Sequence, residues 1–123
     1  MFLFTRPESK NTSSGLLTTT VSTNFFKSKY FRNQPSYWNN SYTSPDEVFW
    51  CLDNKHGLYC HLLCGLVQRE DIVRLGAIFS FVLIRAITFL ENNWRELCIN
   101  IRLGQVSEWI TDLSCRESVS KIL

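Results

Sequence analysis

Neither sign of charge is in surplus. The 123 residues carry 13 lysines and arginines against 11 aspartates and glutamates, a formal net charge of +2. A protein that holds nucleic acid or an anionic membrane through its surface potential gathers a basic excess on one face. Here the basic residues are scattered, apart from a loose group at Lys27, Lys29 and Arg32 that a surface loop accommodates. The expectation is no nucleic-acid partner and no membrane partner.

Long apolar runs are missing too. Met1 to Phe4 is apolar, but Thr5, Arg6, Pro7 and Glu8 follow at once, which is too short for the apolar region of a secretory signal. Residues 75–90 are the one membrane candidate, yet Arg85 sits inside them and Gly76 and Ser80 interrupt them. An arginine at mid-span costs about 3 kcal/mol on insertion scales. A buried strand leading into a core helix accounts for the stretch better. The five cysteines, Cys51, Cys60, Cys64, Cys98 and Cys115, are odd in number. No pair has the two-residue gap of a zinc site. Cys60 and Cys64 lie one helical turn apart, where small thiols suit an apolar face. Reduced structural cysteines in a cytoplasmic protein are the expectation.

Catalytic signatures are sparse. No Walker sequence, dinucleotide fingerprint or nucleophile elbow occurs. Thr12-Ser13-Ser14-Gly15 has the composition of a phosphate loop, but no lysine or second glycine follows, and it reads as a flexible loop. His56 and His61 are five residues apart and do not share a helix face. Glu70 and Asp71 are adjacent, so they point apart and suit a solvated turn better than acid–base chemistry. Chemistry alone yields no catalytic centre and no metal site.

What is present is a globular composition: 45% hydrophobic, 20% charged and 14% aromatic residues. These fractions argue against a disordered chain. Residues 1–5 read as a short apolar strand and residues 6–15 as a loop. Residues 18–26, with Val21, Thr23, Phe25 and Phe26, carry a strand signal. Residues 27–40, broken by Pro35, read as a surface excursion. Ser44-Pro45-Asp46-Glu47 combines a cap, a proline at the first helical position and a capping-box glutamate. The turn it opens is short, because residues 48–51 then read as a strand. Residues 55–69 form a helix with Leu58, Leu62 and Leu66 facing the core. Residues 72–79 read as a buried strand, and residues 80–90 as a helix. Asn92 or Asn93 starts a further helix through Ile101, which Gly104 ends. Residues 107–110 are a link, and Ser114 caps a last helix that runs to Leu123. Alternating strands and helices predict a layered α/β arrangement. Both ends read as cuts through a larger domain.

Several runs carry a resemblance. They include Tyr42-Thr43-Ser44-Pro45-Asp46-Glu47, then Leu58-Tyr59-Cys60-His61-Leu62-Leu63-Cys64-Gly65-Leu66-Val67-Gln68-Arg69, then Val73-Arg74-Leu75-Gly76-Ala77-Ile78-Phe79. They continue with Trp94-Arg95-Glu96-Leu97-Cys98 and Trp109-Ile110-Thr111-Asp112. Together they resemble the auxin-responsive, or Gretchen Hagen, acyl acid–amido synthetases, and most of all the auxin-conjugating branch.

The resemblance implies an adenylating, luciferase-like superfamily fold, with residues 1–123 an internal piece of its large N-terminal domain. It implies ATP and magnesium as cofactors, and an auxin-type acid and an amino acid as substrates. The acid is activated as an acyl-adenylate, and the amine then attacks it and releases AMP. The family's phosphate loop falls before Met1 and its later nucleotide motifs after Leu123. A valine-leucine pair of the family's acyl pocket matches Val21 and Ser22, so these are the implied substrate-binding residues. Thr18, Thr19 and Thr20 stand where the family has arginine and proline. The alternative is a non-catalytic truncated product, or a protein that acts only by interaction.

Overall fold

A computed structural model describes residues 10–18, 21–32 and 42–123. Two strands of two residues each, β1 (Lys10–Asn11) and β2 (Leu17–Thr18), pair antiparallel with Lys10 opposite Thr18. Gly15 takes φ 80° in the turn between them, a backbone region that L side chains rarely adopt. Helices follow: α1 (Val21–Lys27), α2 (Lys29–Arg32), α3 (Asp46–Trp50), α4 (Asn54–Val67), α5 (Ser80–Leu103) and α6 (Leu113–Ser120). A 3-10 turn spans Arg69–Asp71.

The layered α/β expectation is corrected for the described residues, which are mostly helical. The strand expected over 18–26 is helix α1 from Val21 onward. β-Branched and aromatic residues favour a strand only when a pleated surface receives them, and α1 packs instead on α2. The strand expected over 48–51 is most of α3. Val48 and Phe49 are adjacent and both buried, because Val48 joins the main core while Phe49 packs with Tyr42 and Trp50. Asp46 and Glu47 in the first turn complement the positive helix end. Ser44 does not cap α3, since Pro45 holds the cap position without a side-chain bond. The strand expected over 1–5 lies outside the described residues.

α4 starts where Asp53 Oδ1 accepts the amides of Lys55 (2.7 Å) and His56 (3.2 Å). These bonds, the His56 amide first, hold the Asp53 carboxyl below its ordinary value. α5 is one helix of 24 residues rather than two. The Asn92 and Asn93 side chains donate to the carbonyls of Thr88 (2.9 Å) and Phe89 (2.8 Å) one turn back, so they sit inside a continuing helix instead of starting a new one. Gly104 ends it as expected, at φ 64°, with the Gln105 amide bonded to Asn100 O. α6 is capped by Asp112, whose Oδ1 accepts the Cys115 amide at 3.0 Å, and not by Ser114. It ends at Ser120. No helix among the described residues is long and apolar enough to cross a membrane.

The core sits around α4, which packs against α3, α5 and α6. Tyr59, Leu63 and Cys64 of α4 are fully buried with Leu97, Ile110 and Val119. A polar clamp ties the far end of this core. The Tyr59 hydroxyl accepts from Asn100 Nδ2 (2.6 Å) and from the Ser107 amide (3.3 Å). The Glu96 carboxylate accepts from Trp109 Nε1 (2.7 Å) and from the Ser107 hydroxyl. The Trp109 ring meets Tyr59 edge-on at 5.0 Å, and Lys55 Nζ lies 4.7 Å above it.

Four thiols are part of the same core. Cys51, Cys60, Cys64 and Cys115 are buried, and Cys98 is exposed. Burial pushes the Cys64 thiol up to about 12. At Cys115 the contact with Cys51 pulls downward, but the contact with Cys60 and burial outweigh it, and the thiol rises to about 12. The neighbouring Cys115 thiol and burial raise Cys51 as well.

Two outcomes follow from this packing. Tyr59→Phe leaves the buried Asn100 side chain without its acceptor and is expected to cost about 1–3 kcal/mol. Thermal melting reads this as a drop of several degrees, and an unchanged melt would remove the clamp from the account. Only the thiolate reacts readily with disulfide reagents. Ellman's reagent is therefore expected to modify one thiol, Cys98, quickly in the native protein and all five in denaturant. Fast reaction of two or more native thiols would contradict the buried cluster.

Candidate functional site

The C-terminal half of α4 borders a cleft of about 630 Å³. Much of its lining is apolar, with Leu62 and Leu66 from α4 and Leu83, Ala86, Ile87 and Leu90 from α5, two helices that pack on each other. Tyr42, Thr43 and Ser44 form one wall. Gln68, Arg69, Asp71 and Arg74 add polar groups to the lining.

Two hydrogen bonds hold the wall to α4. A 2.7 Å bond joins buried Ser44 Oγ and buried His61 Nδ1. Gln68 Nε2 donates to Thr43 O at 2.7 Å. The His61 ring lies 5.4 Å from the Phe49 ring, inclined by 34°. The result is a pre-formed groove with an apolar floor, suited to a hydrophobic body with a polar end. The Ser44–His61 bond was not legible in advance, because Ser44 beside Pro45 carries the pattern of a helix cap.

The other sequence candidates lie elsewhere. Val21 opens α1 and is 86% exposed, and Ser22 follows it in the same helix. Val21 is not among the residues that line the cleft. His56 sits 5.5 Å from the Trp109 ring, away from His61. Glu70 pairs with Arg69 at 3.5 Å on the surface. Among the described residues no three histidine, cysteine or acidic side chains form a metal-binding group.

Residues 12–15 do not fit a nucleotide. Thr12 Oγ1 and Ser14 Oγ bond each other at 2.8 Å, and Thr12 Oγ1 also accepts the Leu16 amide. The Gly15 amide donates to Thr12 O. The Thr12 and Ser14 hydroxyls and the Gly15 amide, groups of the kind that cradle a phosphate, are thus engaged within the hairpin.

Comparison with known proteins places this geometry in a family. The profile of the "GH3 family N-terminal domain" matches residues 1–123. The chain is 58% identical over 123 residues to the 4-substituted benzoates-glutamate ligase GH3.12 of Arabidopsis thaliana, covering all of this chain and 21% of that protein. It is 52% identical over 121 residues to the indole-3-acetic acid-amido synthetase GH3.17 of Arabidopsis thaliana, covering 98% of this chain and 20% of that protein. Among solved structures, the GH3.15 acyl acid amido synthetase superposes with a TM-score of 0.81 at 38% identity, over 98% of this chain and 20% of that one. The chain thus spans about a fifth of the length of the relatives it matches. It belongs to the GH3 family of acyl acid amido synthetases, within the family's N-terminal domain.

Proposed function

We propose that this chain is part of an ATP-dependent acyl acid–amido synthetase that joins an auxin-type acid to an amino acid. The observation that carries the reading is the match of residues 1–123 to the family's N-terminal domain, alongside relatives named as indole-3-acetic acid-amido synthetases. On this reading residues 1–123 belong to the large adenylating domain. The hairpin at residues 12–15 is closed on itself and is not the nucleotide seat on this reading. Val21 and Ser22 contribute to the wall against the acid. The exposed Val21 side chain at the start of α1 is open to such a contact.

A second reading shares the chemistry and changes the acid. The relative at 58% identity is named for 4-substituted benzoates and glutamate, which favours a benzoate-type acid over an indole.

A chimera separates the two. Residues 1–123 replace the matching stretch of the Arabidopsis benzoates-glutamate ligase, and amide formation is measured with indole-3-acetate and with a 4-substituted benzoate. The proposal expects conjugation of both and a shift of preference toward indole-3-acetate. Retained benzoate preference selects the second reading, and loss of all conjugation in a soluble chimera removes both. Within an active chimera, Ser22→Leu is expected to lower the Michaelis constant for the acid by up to about ten-fold, because a buried leucine contributes roughly 1–2 kcal/mol. The constant for the amino acid stays unchanged. Equal effects on both substrates would take this pair out of the acid site.

A further inference from the structure

We draw no further inference here: the strongest candidate, the cleft bordered by α4 and α5 with the buried Ser44–His61 pair in its lining, belongs to the site already described, and nothing in the structure shows what fills it.

Discussion

The middle of helix α4 (Asn54–Val67) is enclosed, and α3, α5 and α6 are arranged to enclose it. Its residues from Gly57 to Cys64 are buried without interruption. A surface helix buries one stripe and leaves the other polar; this one has no polar stripe to spare over two turns. Its neighbours divide the work. α5 covers the Leu62 and Leu66 face across the cleft, while α3 and α6 pack on α4 from other directions and on each other. Where a polar atom is carried inward, it is met. Tyr59 finds Asn100 and Ser107, and His61 finds Ser44. Among the described residues no buried side-chain nitrogen or oxygen lacks a partner. That matters because an unmet polar group in such a core costs as much as several good contacts gain.

The same burial explains the thiols. Four of five cysteines lie where small, apolar side chains let helices approach, and burial keeps the Cys64 and Cys115 protons on sulfur. Their role is packing. The cleft, in turn, is lined by residues of both helices, Leu62 and Leu66 from α4 and Leu83, Ala86, Ile87 and Leu90 from α5. The core is therefore well formed on one side of α4. Between Val73 and Ile84, by contrast, Val73, Leu75, Ile78, Phe79, Phe81 and Ile84 are exposed while Ala77, Val82 and Leu83 pack on the core.

The sequence made α4 readable, because leucines at 58, 62 and 66 repeat at helical spacing and Gly104 marks an end further on. It made the family readable through the runs around Leu58–Arg69 and Trp109–Asp112. It did not make the short elements readable. Residues 18–26 and 48–51 hold the residue types of strands, but local preference over so few residues yields to whichever surface receives them. Asn92 and Asn93 suit caps in isolation, yet a side-chain amide bonded one turn back serves equally inside a helix. The pattern at residues 72–79 predicts a buried strand, but Val73, Leu75, Ile78 and Phe79 are exposed there. The cleft is not legible in the sequence because its key bond, Ser44 to His61, joins residues 17 apart, and no local pattern reports such a pairing. Val21 and Ser22 came from resemblance alone.

Hydrogen exchange in the native 123-residue chain tests the enclosure of α4 most directly. Amides exchange slowly where opening requires the whole core to come apart, and quickly where local opening suffices. The account predicts that the amides of residues 58–64 are the slowest in the chain and exchange only at the rate of global unfolding, with residues 72–76 among the fastest. If residues 58–64 exchange as quickly as residues 72–76, α4 is not the enclosed centre of the structure and the arrangement described around it fails.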